Sequence, residues 1–320
     1  MIKIKPKKFD LITVGGATRD ILFYSKEGEL IPTGKATKQR LLAFEYGAKI
    51  YADRIFMEFG GGAANSAVSA SRLGLKTAVF CRLGQDQNGQ EVLANFKKNN
   101  VDTSLIKIDP KHQTGFSVIL TINNEAKEHI AFLHRGANDN LCAPDIDLQR
   151  ASADWFYVTA LPTLGWQEIM EKLIKSGKNI AWNPGAKQLE NLSALKKFLP
   201  KIKILMVNED EAREFKKLKD IKGLLSYIFS LGPRLVIITA GRNGAYAYDG
   251  KKYYYMKAAS VKPVNTLGVG DAFGSALTSA LICGKNIKEA LRWGIINSAA
   301  VVNAIGAQKG LLNRRQIKKI

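Results

Sequence analysis

An aspartate that follows two closely spaced glycines is the residue best suited to catalysis in this sequence. Residues 265–273 read NTLGVGDAF, in which Gly268 and Gly270 allow the backbone to approach a ligand closely and Asp271 precedes a helix-forming stretch. Backbone N–H groups at a helix start favour an anion, and a carboxylate among them can accept a proton beside a phosphate. The pattern indicates phosphoryl transfer, although a glycine turn followed by an ordinary helix-start acid is an equally good interpretation of this segment alone.

A second glycine-rich segment could contact a hydroxylated ligand. Residues 60–67 read GGGAANSA and precede a predicted helix that ends at Leu73 and Gly74. The glycines permit close backbone approach, and Asn65 offers both a hydrogen-bond donor and an acceptor. The alternative interpretation is a glycine-rich connection with a capping asparagine.

Together the two segments resemble the two signatures of the ribokinase (PfkB) family of carbohydrate and nucleoside kinases. The first signature is matched by Gly61, Gly62, Asn65, Ala67, Leu73 and Gly74, and the second by Thr266, Gly268, Gly270, Asp271 and Phe273. The resemblance extends over nearly the whole chain. It implies an ATP- and Mg²⁺-dependent kinase that phosphorylates a hydroxyl of a sugar, with a nucleoside as the alternative acceptor.

The resemblance also implies roles for individual residues at the acceptor side. Asp271 matches the catalytic base, and the amides of the segment that contains Gly268, Val269 and Gly270 match an anion hole. The matched substrate-binding positions are Asp20, Gly61, Gly62 and Asn65. Arg135, near the end of a predicted lid strand, and Asn183, after an apolar strand, are further candidates for contacting the substrate. Lys38 and Arg40 are basic lid residues that, like Arg135, could bind a phosphosugar, although basic lid residues are more often plain surface.

At the nucleotide side the resemblance assigns a second set of residues. Asn208 and Glu211 match an Asn-x-x-Glu motif that helps place water-bound Mg²⁺ and the phosphates, and the same spacing also fits a helix capping box. The remaining nucleotide-binding positions are Thr239, Gly241 and Gly244 along the phosphates and ribose, and Asn297, Ala300 and Gly306 around the adenine.

The sequence departs from the second signature at two positions. Asn265 stands where the family usually has an aspartate that, in several members, belongs to a monovalent-cation site. An asparagine keeps an oxygen ligand but removes the charge, so activation by potassium is in doubt. Val269 replaces the usual alanine, and its branched side chain narrows the backbone angles without removing the amide donor.

Strand and helix patterns alternate along most of the chain, which predicts a parallel sheet covered by helices. Strands are predicted at residues 9–15, 76–83, 155–159, 179–182, 204–207 and 235–239, and helices at 63–73, 89–98, 271–283 and 287–304. A hairpin is predicted around Asn123 and Asn124, and another around Asp249 and Gly250. With the resemblance, these patterns predict one domain over residues 1–320, a three-layer α/β/α sandwich with a small β-sheet lid inserted at about 21–58 and 113–135.

The charge of the chain is strongly positive, since 48 Lys and Arg against 28 Asp and Glu give a formal net charge of +20. Most of the excess is lysine spread over predicted helix faces and termini without interleaved aromatic residues, so we expect a solvated surface and no nucleic-acid partner. Two alternatives remain: a catalytically weak nucleic-acid-binding protein and a dinucleotide-binding oxidoreductase. Gly268 and Gly270 could begin the glycine motif of the second, but Gly274 lies one residue too late to be its third glycine.

Cysteine usage and hydropathy bear on the cellular setting. Three widely spaced cysteines give no disulfide framework or zinc pattern, and no apolar run is long enough to cross a membrane. The basic N-terminal residues are not followed by the apolar stretch of a secretory signal. We therefore expect a cytoplasmic protein without a membrane partner. A homodimer is also possible, with the predicted lid as its interface.

Overall fold

A large sheet flanked by helices forms the centre of this computed structural model, which describes residues 6–32, 40–122 and 129–319. The strands are β1 (Lys7–Val14), β2 (Thr18–Ser25), β3 (Glu29–Pro32), β4 (Arg40–Ala43), β5 (Arg54–Gly60), β6 (Thr77–Phe80), β7 (Arg82–Gly84), β8 (Lys107–Asp109), β9 (Phe116–Ile122), β10 (Ile130–His134), β11 (Ala151–Val158), β12 (Asn179–Trp182), β13 (Ile204–Asn208), β14 (Val236–Thr239), β15 (Ala245–Tyr248) and β16 (Tyr253–Met256). The helices are α1 (Gly62–Arg72), α2 (Gln87–Lys98), α3 (Trp166–Lys175), α4 (Ala186–Glu190), α5 (Leu192–Phe198), α6 (Glu209–Phe215), α7 (Ile221–Ser230), α8 (Val269–Ile282), α9 (Ile287–Val302) and α10 (Arg314–Lys319).

The central sheet has eight strands in the order β16-β15-β14-β13-β12-β11-β1-β6. The strands from β6 to β14 in this order are parallel, and β15 and β16 extend the sheet as an antiparallel hairpin. Helices cover both faces, so the strands are apolar throughout and their side chains belong to separate cores on the two faces. The predicted three-layer α/β/α sandwich is therefore confirmed. Because the strands are parallel, their carboxyl ends meet at one edge, where such folds bind ligands.

A second sheet of four strands, in the order β10-β9-β2-β5, covers part of this edge and forms the lid. Its β9–β10 hairpin is antiparallel, as predicted, and β2 pairs with β9 in parallel. The predicted lid segments contain these strands, except that β2 already begins at Thr18 and β5 continues to Gly60. The predicted hairpin turn at Asn123 and Asn124 lies outside the described residues, as do Lys38 and the side chain of Arg40.

The strand predicted at residues 155–159 begins four residues earlier, at Ala151, and two other elements differ in ways that have a clear structural reason. The strand predicted at residues 76–83 divides after Phe80, because β6 pairs with β1 in the central sheet whereas β7 pairs with β8. Beyond this point the Arg82 guanidinium binds Asp145 and Asp109, which draws the chain away from the central sheet. The helix predicted at residues 271–283 begins earlier, so that Asp271 lies in the first turn of α8.

Among the described residues, no helix is both long and apolar enough to cross a membrane.

Candidate active site

A cavity of about 370 Å³ lies between the lid and the carboxyl ends of the central strands, and we call it the lid cavity. It brings together predicted site residues from distant parts of the sequence: Asp20, Gly61, Gly62, Asn65, Arg135, Gly268 and Asp271. Two of these are carboxylates, one on the lid and one on the body of the protein. The arrangement gives a concave site with acids on both sides of the lid–body boundary.

Asp20 enters the lid cavity from β2 and is nearly buried. Its carboxylate accepts hydrogen bonds from Ser117 Oγ at 2.7 Å and Thr18 Oγ1 at 2.9 Å. Burial raises the pKa of Asp20 above the usual aspartate value, because desolvation outweighs these two hydrogen bonds. The side chain is thus a held acceptor that a ligand hydroxyl could reach. It lies on a lid strand, whereas the sequence suggested only that it follows the first strand.

The glycine run before α1 passes between the two carboxylates. A Cβ atom at Gly60 would lie 1.9 Å from Asp20 Oδ2, and one at Gly62 would lie 3.2 Å from Asp271 Oδ1. Gly61 has a φ of +88°, and a Cβ there would lie 2.5 Å from the Gly16 carbonyl oxygen. Side chains at these positions would fill the space between the acids, which explains why the segment contains consecutive glycines.

Asp271 lies in the first turn of α8 and faces the lid cavity. Asn65 Nδ2 donates to Asp271 Oδ2 at 2.8 Å. The amide of Asn65 is itself oriented, since Gln308 Nε2 donates to Asn65 Oδ1 at 3.0 Å and Asn95 Nδ2 donates to Gln308 Oε1 at 2.8 Å. Burial raises the pKa of Asp271, and the Asn65 hydrogen bond partly opposes this rise. The geometry suits a base that is fixed in position by a row of side-chain amides.

The start of α8 supplies backbone donors beside this carboxylate. Gly268 is the N-cap residue in the left-handed conformation, with φ 69° and ψ 8°, and a Cβ there would lie 2.4 Å from Ala307 Cβ. The amides of Val269, Gly270 and Asp271 belong to the first helical turn and have no acceptor within the helix. They can therefore donate to an anion at the positive end of the helix dipole.

A second cavity of about 140 Å³, which we call the strand-end cavity, adjoins the same turn of α8. Its lining includes five predicted site residues: Asn183, Asn208, Glu211, Thr239 and Gly270. Gly270 is exposed, and a Cβ atom there would meet nothing within 4 Å. The first turn of α8 is thus shared, with Asp271 facing one cavity and Gly270 the other.

Asn208 and Glu211 form the predicted capping box at the start of α6. Asn208 Oδ1 accepts from the Glu211 amide at 2.8 Å, and Glu211 Oε2 accepts from the Asn208 amide at 2.9 Å. Burial raises the pKa of Glu211, and the nearby Asp210 charge adds to the rise. Among the described residues no group of three His, Cys, Asp or Glu could hold a metal ion. One carboxylate beside a polar cavity fits Mg²⁺, which usually keeps several waters and needs few protein ligands.

Asn183, predicted to bind the substrate, lines the strand-end cavity and not the lid cavity. The residue follows β12 and lines the strand-end cavity, and its Nδ2 donates to the Met206 carbonyl oxygen at 2.9 Å. The sequence showed that Asn183 follows an apolar strand. It could not show that the side chain turns along the sheet edge toward β13.

The structure also separates the residues predicted to surround a nucleotide. Thr239 lines the strand-end cavity, whereas Gly241 is an exposed residue of a short turn with φ +52°. Gly244 ends that turn with φ +89°, and a Cβ there would lie 2.1 Å from the Met256 carbonyl oxygen. Both glycines therefore shape the connection from β14 to β15.

Of the residues predicted to surround adenine, Asn297 is fully buried. Its Nδ2 donates to Ser69 Oγ and the Ala272 carbonyl oxygen, so the side chain joins helices rather than facing a ligand. Gly306 is turned toward the lid, because a Cβ there would lie 2.7 Å from Glu58 Cγ. Ala300 is a partly buried residue of α9 that lines neither cavity.

Asn265, the departure from the usual aspartate, is also placed by the structure. It is nearly buried, and its Oδ1 accepts a hydrogen bond from the Leu267 amide at 2.6 Å. The side chain thus shapes the turn before α8 without carrying a charge.

Sequence reasoning missed three residues at these cavities. Gln308 orients Asn65, Lys187 lines the lid cavity, and Tyr157 lines the strand-end cavity. The Tyr157 hydroxyl is fully buried near Ser66 Oγ, but neither oxygen makes a hydrogen bond of normal geometry with a described residue. A tyrosine at the end of an apolar strand was the one available signal, because a buried hydroxyl normally requires a partner.

The sequence and the fold are both similar to those of known kinases. The sequence matches the pfkB family of carbohydrate kinases over residues 30–314. It is 27% identical over 267 residues to a ribokinase of Haemophilus influenzae, which covers 81% of this chain and 85% of that protein. The fold is similar to that of a nucleoside kinase from Methanocaldococcus jannaschii, with a TM-score of 0.78, 20% identity and 98% of both chains covered. It is also similar to a candidate ribokinase II of E. coli in complex with ATP and Mg²⁺, with a TM-score of 0.79, 19% identity and 98% of both chains covered.

Proposed function

Because the chain belongs to the pfkB family of carbohydrate kinases and is an ATP-dependent phosphotransferase, we propose that it transfers the γ-phosphoryl group of ATP to a hydroxyl of a sugar. The observation that carries the proposal is the position of Asp271 between the two cavities. Its carboxylate faces the lid cavity, and the adjacent Gly270 lines the strand-end cavity. An acceptor hydroxyl and an anionic donor can thus meet at one helical turn.

In this proposal the sugar binds in the lid cavity. Asp20 accepts hydrogen bonds from sugar hydroxyls, and the Gly61 and Gly62 backbone lets the sugar approach both acids. Asp271, in its deprotonated form, takes the proton of the attacking hydroxyl. Asn65 holds the carboxylate in line through its 2.8 Å hydrogen bond.

The donor side is the strand-end cavity and the start of α8. The free amides of the first turn of α8 bind the transferring phosphoryl group, and the positive end of the helix dipole favours its charge. Glu211 and Asn208 would hold the water shell of Mg²⁺, which when bound neutralises phosphate charge. Thr239 also lines this cavity and would contact the nucleotide there.

A nucleoside is the second candidate acceptor, and the apolar part of the lid cavity favours it. Phe116, Leu133 and Leu161 line this cavity and could pack against a base. The same surface could equally exclude water from a bound sugar. The choice therefore depends on the substrate assay.

We also propose that the lid mediates a homodimer. Alternating residues of its strands form an apolar outer face that includes the exposed Met57 on β5 and the exposed Phe132 on β10. Ile21 and Val118 lie between these two residues in register. Contiguous apolar surface of this kind is often covered by a partner. Analytical ultracentrifugation of the protein and of M57D/F132D would detect the dimer and its loss.

The experiment that tests the function measures ADP release by the purified protein with Mg²⁺-ATP and a panel of sugars and nucleosides. We expect turnover with at least one sugar and the phosphorylated product in stoichiometric amount with ADP. Turnover with nucleosides alone would favour the second candidate. ADP release that is independent of any acceptor would contradict both.

A further inference from the structure

The lid cavity contains basic side chains that the chemistry of transfer does not use. Besides Asp20 and Asp271, its charged or titratable lining residues are His134, Arg135 and Lys187. The cavity thus has two acids, which in the proposed function contact hydroxyl groups of the substrate, and two cations, Arg135 and Lys187, without an assigned role. The question is what these cations bind.

The cations come from both sides of the cavity. Arg135 follows lid strand β10, and its carbonyl oxygen accepts from the Asn138 amide at 3.0 Å, which fixes the chain in the turn that leaves the lid. Lys187 lies on the body in the short helix α4, where its ammonium group donates to the Pro162 carbonyl oxygen. A ligand in the cavity could therefore contact a cation from the lid and a cation from the body.

Neither cation is neutralised by a carboxylate of the described chain. Among the described residues, neither Arg135 nor Lys187 forms an ion pair with a carboxylate. The two acids of the cavity accept hydrogen bonds from neutral side chains, Asp20 from Thr18 and Ser117 and Asp271 from Asn65. Arg135 and Lys187 thus remain in the cavity lining as cations without a paired carboxylate among the described residues.

We propose that the substrate is an anionic sugar, and that Arg135 and Lys187 bind its carboxylate or phosphate group. The proposal rests on the proposed kinase function and specifies its acceptor. Arginine and lysine form charge-assisted hydrogen bonds with both kinds of anion, and a guanidinium can bind either in a bidentate manner. A bound anion gives Arg135 and Lys187 the negatively charged partner that no described residue supplies, and it orients the sugar so that one hydroxyl faces Asp271.

The test compares three groups of acceptors in the ADP-release assay: neutral sugars and nucleosides, sugar acids, and sugar monophosphates. We expect the highest kcat/KM within one of the two anionic groups, at least about tenfold above the neutral acceptors. The group that contains it identifies the anion as carboxylate or phosphate. For that substrate kcat/KM should fall as ionic strength rises, because salt screens the attraction.

Charge-removing variants connect the preference to the two residues. R135Q and K187M should each lower kcat/KM for the anionic substrate by about 10–100-fold, and the loss of kcat/KM for a neutral sugar should be several-fold smaller. K172M is the matched control, because Lys172 also donates to a backbone carbonyl, that of Ala143 at 2.9 Å, but lies outside the cavity. It should behave as wild type with both kinds of acceptor.

The outcomes separate this inference from the function on which it rests. Turnover of neutral sugars or nucleosides only, or equal losses for neutral and anionic acceptors in R135Q and K187M, overturns the inference and leaves the kinase function intact. Absence of turnover with every acceptor overturns both.

Discussion

The lid cavity and the strand-end cavity share the first turn of α8 but are built in different ways. The strand-end cavity is formed by residues that follow adjacent parallel strands, such as Asn183 after β12 and Asn208 at the end of β13. The lid cavity exists only because β2, β9 and β10 fold over the edge of the sheet and bring Asp20 and Arg135 to the body. The strand-end cavity thus follows from the central sheet itself, whereas the lid cavity depends on the inserted lid strands.

This difference suggests a division between general and specific functions. In the proposed function, the strand-end cavity and the α8 amides would provide what any phosphoryl donor requires, namely donors for an anion and a place for a hydrated cation. The lid would supply the residues that distinguish one acceptor from another. Substitutions on the two sides should therefore have separable effects on donor and acceptor.

The largest effect is expected at Asp271, which faces the lid cavity from the helical turn that both cavities share. D271N keeps the shape of the side chain but removes the base, so turnover should fall by about 10²–10⁴-fold with little change in ATP affinity. D220N is the control, because Asp220 is an ordinary helix-start acid that caps α7. Steady-state kinetics of D271N that matched those of D220N would show that Asp271 is only a helix-start acid.

A smaller and one-sided effect is expected at Asp20. D20A should raise KM for the acceptor by about 10–150-fold and leave KM for ATP nearly unchanged, because hydrogen bonds to a charged acceptor are worth about 1.5–3 kcal/mol. Measuring both KM values with the preferred substrate tests the division between the cavities. Equal increases for the two substrates would mean that Asp20 maintains the fold instead.

The pH dependence should report the environment of Asp271. As pH is lowered, kcat/KM should fall once Asp271 becomes protonated, by about tenfold for each pH unit. Because burial raises the pKa of Asp271, this fall should begin at a higher pH than for an ordinary aspartate.

The free energy of unfolding should change with pH in the opposite sense to the activity. The raised pKa favours the protonated form of Asp271 in the folded state. The contribution of this proton to the free energy of unfolding is therefore lost as pH rises through that pKa. Over this range the wild type should lose stability relative to D271N. A constant stability difference across the acidic range would contradict the raised pKa.

The smallest effect is expected at Tyr157, below the strand-end cavity. Its buried hydroxyl makes no hydrogen bond of normal geometry within the part of the chain that the structure describes, so Y157F should leave the free energy of unfolding unchanged or raise it by up to about 1 kcal/mol. Y254F is the matched control, because the Tyr254 hydroxyl donates to Asp249 Oδ2 at 3.0 Å and its loss should be destabilising. Denaturant unfolding of both variants gives the comparison. A destabilised Y157F would show that the hydroxyl has a partner in solution.

Predictability from sequence also differs between the two sides. The capping box of Asn208 and Glu211 is local, and a spacing of three residues was sufficient to predict its position at a strand end. The amide row through Asn65 and Gln308 is not local, and no periodicity in either segment indicates that the two side chains meet. Asn297 shows the same limit, since its helical position was predictable but its burial between helices was not.

The fold itself was largely predictable because each central strand is a short apolar run bounded by turn residues. The predicted ends of strands and helices were wrong where tertiary contacts determine them. The chain leaves the central sheet after Phe80 as Arg82 turns to its two carboxylates, and α8 begins at Val269 because Gly268 adopts a left-handed conformation. Neither feature has a counterpart in local hydrophobic patterning.

The hydrogen bonds that hold Asp271 also have a consequence for biosynthesis. Asn65 is separated from Asp271 by 206 residues and from Gln308 by 243 residues. During translation, domains of this size form their long-range contacts late. A nascent chain that already exposes Asp271 still lacks Gln308, so Asn65 has not yet received the hydrogen bond that orients its amide. The complete row of amides therefore forms only after nearly all of the described chain has left the ribosome, and shorter nascent chains should not phosphorylate substrate.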